Sequence, residues 1–335
     1  MSRPKNKEEY RQEMAEAFAS VLEEKGLQWR KEWHGTGGRA PHNGITKACY
    51  RGSNAFWLSL VAMMKGYTDP RWVTMVQIID KDSKYHPKEH WHLKSGSKAT
   101  YVEYWYPYDL KDKRALTWDQ YKQETQSGRR EDEFRLSARY TAVFNASEVE
   151  GMPEITVHQN ESIQMDEMVR KLSENMGVPI LLDGGDQAFY SPYQDKIHLP
   201  TPGSFENEYA FNATALHELS HSTGHPLRLN RPQAGLFGTA QYAYEELVAE
   251  MCSCFMGFHL NTEPGAGHVD NHRAYVQSWI QSIREKPETL IKAIKDAQAA
   301  ANYMDWKVGL ITEKEYKDVS GTVMEIRERA RDKER

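Results

Sequence analysis

Three residues within five positions, His217, Glu218 and His221, have the types and spacing to activate water on a metal ion. In a helix, residues four apart share a face, so both imidazoles can reach one cation. Glu218, next to the first imidazole, is then placed to take a proton from metal-bound water. Zinc suits two imidazoles and a carboxylate, and it lowers the pKa of its bound water from about 15.7 to about 7. The alternative is two surface histidines one turn apart. The flanks argue against it: Asn212–Leu216 reads as a first helical turn, Gly224 as a stop, and Pro226 forbids continuation.

A third ligand is needed. The metzincin pattern would put a histidine where this chain has Leu227, which excludes that class, and His225 falls too soon after His221. The better source is the helical run Tyr242–Met256, where Glu246 and Glu250 lie one turn apart beside an apolar side formed with Leu247, Cys254 and Phe255. Carboxylates on a buried helix are paired or metal-bound. Glu246 is the expected ligand and Glu250 the expected carboxylate behind a histidine. The reverse order stays open, Glu245 is a further candidate, and a solvated acidic face is the plain alternative. Zinc is the expected ion, with manganese or another divalent transition metal as the alternative. Tyr242, Tyr244 and His225 are candidates for stabilising an oxyanion.

These helices need supporting elements. Met165–Met176 reads as a helix ended by Gly177, and Phe189–Leu199 as a hairpin before the metal helix. Lys196–Leu199 is expected to be an edge strand able to pair with an extended peptide. From Asp270 the chain is helical again, with Tyr275, Ile280, Ile283, Leu290, Ile294 and Ala301 marking apolar faces; the charged tail after Ser320 reads as a fraying helix.

Upstream the pattern differs. Glu8–Lys25 is an amphipathic helix stopped by Gly26, and a loop with Gly35, Gly37, Gly38, Pro41 and Gly44 follows. Ser53 or Asn54 should cap a second helix running to about Lys65, and Trp72–Gln77 should begin a third. Ala99–Tyr106 and Tyr140–Phe144 read as strands, with Lys111–Glu133 inserted between them. The expectation is an α+β protein of two domains: a small α+β domain over 1–153, a linker over 154–165, and a mostly helical domain with a small sheet over 166–335.

Composition narrows the function. No apolar run approaches the roughly 20 residues that span a membrane, and the N-terminus lacks a signal-peptide core. Cys49, Cys252 and Cys254 make no disulfide framework. A cytoplasmic setting is therefore expected. The net charge of −5 is unevenly spread: residues 1–151 hold 25 Lys+Arg against 21 Asp+Glu, the remainder 18 against 27. Seven of the nine tryptophans, Trp29, Trp33, Trp57, Trp72, Trp91, Trp105 and Trp118, also lie in the first part. Aromatics among cations suit a surface where bases stack and phosphates are met, although most of these tryptophans must be core.

Several separated motifs, in order, carry a family resemblance. They are Pro41-His-Asn43, Tyr50-Arg-Gly-Ser-Asn54, Trp72-Val-Thr74, Lys94-Ser-Gly-Ser-Lys98, Val143-Phe-Asn145 with Glu150-Gly151, then His217-Glu-Leu-Ser-His221, Thr223-Gly-His225, Arg228-Leu-Asn-Arg231 and Glu245-Glu-Leu-Val-Ala-Glu250. The chain resembles the ArdC antirestriction proteins of conjugative plasmids, and its first domain is also similar to the N-terminal part of conjugative primases. The resemblance implies a single-stranded-DNA-binding domain joined to a zincin-like, gluzincin-type metallopeptidase domain that protects incoming plasmid DNA from host restriction enzymes during conjugation. Arg51, Lys94 and Lys98, with Tyr50, Trp57 and Tyr101, are then the candidate DNA contacts. Two alternatives stand beside it: a DNA shield whose metal is only structural, and a metallopeptidase whose first domain binds protein.

Overall fold

The computed structural model describes residues 4, 6–26, 40–80, 84–86, 90–154, 164–185, 187–205, 207–232, 239–260 and 273–319. The loop around Gly35, Gly37 and Gly38 with Trp29 and Trp33, most of the expected linker, the side chain of Tyr275 and the tail from Ser320 lie outside the described residues.

The first helix, α1 (Lys7–Lys25), starts where the Asn6 side chain accepts from the Glu9 N–H and ends at Gly26, whose φ of 54° favours glycine. It buries Tyr10, Met14, Phe18 and Leu22. Its charged side meets the far end of the chain: Glu16 and Glu23 pair with Arg284, and Arg11 pairs with Glu288 at 2.9 Å. The second helix, α2 (Gly52–Lys65), corrects the expected cap. Arg51 occupies the N-cap without a side-chain bond. Asn54 sits in the first turn, where its amide donates to the Glu103 carbonyl at 2.7 Å and accepts from the Glu103 N–H at 2.8 Å. A side-chain amide thus satisfies backbone groups of a strand edge that no neighbouring strand covers.

Trp72–Gln77 is also corrected. Arg71–Thr74 is a strand, β2, and only Met75–Ile79 is helical (α3), opened by a Thr74–Gln77 capping box. The first sheet contains β1 (His42–Asn43), β2, β4 (Thr100–Asp109), β5 (Arg114–Ala115) and β6 (Phe134–Asn145) in the order β1-β2-β6-β4-β5. Its centre is the antiparallel β4/β6 ladder, running from Thr100 opposite Val143 to Asp109 opposite Phe134. Both strands outrun the expected spans. The inserted segment adds a helix, α4 (Trp118–Gln126), which lays Tyr121 edge-on to Phe134 at 5.2 Å. A two-stranded pair, β3 (His92–Leu93) with β7 (Val149–Glu150), lies beside it. There Gly151, at φ 85°, passes so close to the His90 carbonyl that a Cβ would sit 2.2 Å from it.

The second segment begins with α5 (Glu167–Met176), as expected, followed by β8 (Ile180–Leu181), β9 (Phe189–Ser191) and β10 (Lys196–His198). The sheet order β8-β10-β9 overturns the edge-strand expectation. Lys196–His198 is the middle strand, parallel to β8 and antiparallel to β9. Its backbone is already paired on both sides, so no peptide can add there. Helices α6 (Glu208–Ser222), α7 (Ala240–Gly257), α8 (Arg273–Glu285) and α9 (Glu288–Val308) follow, and residues 313–319 are helical as well. One apolar core runs through both segments, from Phe18 and Trp57 to Leu219, Val248 and Ile294. No described helix is long and apolar enough to cross a membrane.

Candidate metal centre

Helix α6 starts four residues before the expected first turn, because the Asn207 side chain caps Ala210 N–H at 2.9 Å. Its buried side carries Phe211, Ala215, Leu216 and Leu219, and the same burial draws His217 and Glu218 inward. Helix α7 is buried along nearly its whole length, yet it carries three carboxylates, Glu245, Glu246 and Glu250. They are tolerated because α6 presents the two imidazoles and the chain beyond it supplies arginine.

The donor atoms converge. The Nε2 atoms of His217 and His221 are 3.1 Å apart. Glu246 places one carboxylate oxygen 3.5 Å from His217 Nε2 and the other 3.6 Å from His221 Nε2. Ligand atoms of these three residues all lie within 4.8 Å of one another. Tetrahedral bonds of about 2.0–2.1 Å would separate donors by roughly 3.3–3.4 Å, so the set fits a transition-metal ion without large rearrangement. Two imidazoles and one carboxylate also suit zinc better than calcium or magnesium, which favour all-oxygen shells.

Behind each imidazole stands another carboxylate. His217 Nδ1 faces Glu250 at 3.6 Å, and His221 Nδ1 faces Glu245 at 3.5 Å. Such outer carboxylates fix the tautomer and aim Nε2 forward. Glu245 is thus neither a ligand nor surplus. It is gripped in turn by Arg231, at 2.6 and 3.1 Å, whose other contacts are Thr223 Oγ1 and the Ser220 carbonyl. Nearby, Arg228 bonds the Ser222 carbonyl at 2.6 Å, Tyr190 and Asp195, tying the β9/β10 hairpin to the end of α6. The structural work of these arginines is invisible to a motif reading of Arg228-Leu-Asn-Arg231. The usable signal was two arginines placed just past a helix that carries histidines.

The electrostatics follow from this packing. Burial alone would lower the His217 pKa, but the Glu250 charge and the Glu246 contact outweigh it and raise it to about 10. His221 behaves similarly: burial is outweighed by Glu245 and Glu246, and its pKa rises to about 9. Burial disfavours the charge on Glu246, yet the two imidazoles hold its carboxyl well below the usual range. The site therefore favours protons on its imidazoles, which a divalent cation would have to displace.

Of the oxyanion candidates, Tyr244 donates to Asp296 at 2.9 Å under Lys292, and so is committed to α9. His225 accepts from the Leu227 N–H, and Tyr242 is half-buried against the core.

The expected DNA contacts are scattered. Trp57 is 1% exposed and packs edge-on to Tyr10, so it cannot stack on a base. That expectation is corrected: its place on the inner face of α2 makes it core. Tyr50 and Tyr101 are half-buried. Arg51 and Lys98 are exposed, and Lys94, also exposed, bonds the Ser147 carbonyl at 2.9 Å. Arg51 belongs to a seam with α9, where the Gly52 N–H donates to Gln298 at 2.7 Å.

Comparisons with known proteins match two stretches of the chain separately. Residues 8–144 match the N-terminal domain of anti-restriction factor ArdC, and residues 167–296 match the zincin-like metallopeptidases. Two Escherichia coli proteins named DNA primase TraC are 31% and 32% identical over 313 and 308 residues, covering 89% of this chain in each case. The chain spans only 27% and 20% of their lengths. The protein y4eC of Sinorhizobium fredii is 28% identical, with 85% of this chain and 88% of y4eC covered. Among solved structures, metal-free antirestriction ArdC from plasmid R388 is similar with a TM-score of 0.66 at 25% identity, over 90% of this chain and 99% of that one. Its Mn(II)-bound form gives a TM-score of 0.64 at 26% identity, with the same coverage. Over residues 8–144 the chain thus belongs with the ArdC N-terminal domains and over 167–296 with the zincin-like metallopeptidases, and the whole resembles the fold of antirestriction ArdC from plasmid R388.

Proposed function

We propose that this protein binds single-stranded DNA through its N-terminal segment, protects incoming plasmid DNA from restriction endonucleases during conjugation, and carries a working zinc peptidase centre. The observation that supports the metal reading is the convergence of His217, His221 and Glu246, each imidazole backed by a carboxylate. A bound divalent ion supplies Lewis acidity and a low-pKa water. His217, His221 and Glu246 would hold it, while Glu250 and Glu245 would keep the imidazoles oriented. Glu218, 6% exposed, would serve there as the general base, holding a proton between an attacking water and a leaving amine.

The test is Glu218→Ala. Metal content and melting temperature should stay at wild-type levels while peptide hydrolysis disappears. Restriction protection assayed on the same variant separates the roles. If protection survives, the DNA segment shields without cleavage and the metal holds α6 to α7; if it is lost with hydrolysis, proteolysis is part of the defence. Absence of hydrolysis in the metal-loaded wild type across a broad peptide library would sink the peptidase reading.

A further inference from the structure

The β4/β6 ladder extends into a face rich in rings and cations. Residues opposite one another in an antiparallel pair share a face. The register puts Tyr104 opposite Arg139, Tyr106 opposite Ser137, and Tyr108 opposite Arg135. Three tyrosines, two arginines and a serine therefore occupy one side of two adjacent strands. The guanidinium of Arg139 lies 4.6 Å from the Tyr104 ring centre and 6.0 Å from that of Tyr106, and Arg135 lies 4.8 Å from that of Tyr108. Tyr104 is 44% exposed, both arginines are exposed, and Tyr106 and Tyr108 are half-buried. Among the described residues, neither arginine has a carboxylate at ion-pair distance. The acidic residues of β4, Glu103 and Asp109, point to the other face, where Tyr140 bonds Glu103 and Arg129 holds Asp109.

The geometry points to this face as the place where a single DNA strand lies, its bases stacked on Tyr104, Tyr106 and Tyr108 and its phosphates met by Arg135 and Arg139. The inference rests on the single-strand reading proposed above and gives that reading a location. Charge and spacing favour a single strand over a duplex or an acidic protein. Alternate residues of a strand are about 6.8 Å apart, twice the roughly 3.4 Å per nucleotide of a duplex strand. Only a strand whose bases are free to splay can match that period. The arginine–tyrosine contacts hold the rings in place before DNA arrives, which lowers the ordering entropy of binding. Every base has a π-face, so the platform reads no sequence.

The test is a fluorescence-anisotropy titration of labelled oligodeoxythymidylate against the full chain at several salt concentrations. Tyr104→Leu/Tyr106→Leu should weaken binding about tenfold or more at unchanged salt slope. Tyr104→Phe/Tyr106→Phe keeps the rings and should bind as wild type. Arg135→Ala/Arg139→Ala should reduce the log–log salt slope by about 1.4, as two phosphates lose their partners. Wild-type melting curves in all three variants would show that folding is unchanged. If the wild type binds and the leucine and alanine variants bind equally well, the strand lies elsewhere and the location is overturned while the DNA reading stands. If the wild type does not bind at low salt, the DNA reading itself fails.

Discussion

The metal cluster and the tyrosine–arginine face use the same physical ingredients, charges and rings, in opposite regimes. Around His217 and His221 the carboxylates are buried and answered by cations or imidazoles: Glu250 by His217, Glu245 by both His221 and Arg231. On the β4/β6 face the charges stand in solvent, stacked on rings and without carboxylate partners. The first arrangement is over-determined and can fix an ion to within fractions of an ångström. The second is under-determined and suits a partner with no fixed shape. Low dielectric makes each lost partner expensive in the one region, and solvent makes it cheap in the other.

The sharpest way to break the contrast is to remove a ligand. His217→Ala should take bound metal per chain from about one to zero by elemental analysis, while oligonucleotide affinity stays at the wild-type value. Arg231→Met comes next. It leaves Glu245 buried beside His221 without its cation and should cost about 3–5 kcal/mol by urea unfolding of the metal-free protein. Arg139→Ala, on the exposed face, should stay within about 0.5 kcal/mol. Equal losses at the two arginines would show that the regimes are not distinct.

A pH series is gentler. In the metal-free protein His217 and His221 hold their protons to about 10 and about 9, above the 6.5 of an unperturbed imidazole. Their contribution to stability is therefore full below about 6.5 and is lost as pH rises through 9 and 10. Glu245 and Glu246 are lowered, so theirs is present above about 4.5 and fades as pH falls. The shift in melting temperature produced by added metal should grow steadily from pH 6 to 10, because fewer protons remain to be displaced. DNA affinity should show no matching transition. The smallest effect is expected at Lys98→Ala, an exposed turn residue off the β4/β6 face, which should leave the salt slope within error of wild type.

What the sequence disclosed follows the range of the interactions. His217, Glu218, His221 and the Glu246/Glu250 pair were legible because a helix places them by local periodicity, and their helices were legible for the same reason. The fold class was legible from the change of period near Trp91. Pairings made over distance were not. Lys196–Leu199 was misjudged as an edge because β8, the strand that covers it, pairs in parallel from beyond the hairpin. Trp72–Thr74 is apolar in a way that suits helix or strand, and pairing with β6 decided it. Trp57, a candidate DNA contact on the family resemblance, faces the core. The tyrosines at 104, 106 and 108 alternate visibly, yet their meaning depended on which residues of β6 lie across from them. Arg135 and Arg139 sit in a stretch whose pairing reaches further than its composition suggested.

Helix α1 opens the N-terminal segment in sequence, but it is clamped by Arg284 of α8 and Glu288 of α9, in the C-terminal segment. The boundary seen along the chain is therefore not a seam along which the molecule can be divided. Recombination that exchanged only one half would strip an apolar wall from the other, so the two halves should be inherited as a single block. The alignment with the first TraC primase fits that expectation: it covers 89% of this chain, so it reaches into both halves, inside a much longer protein.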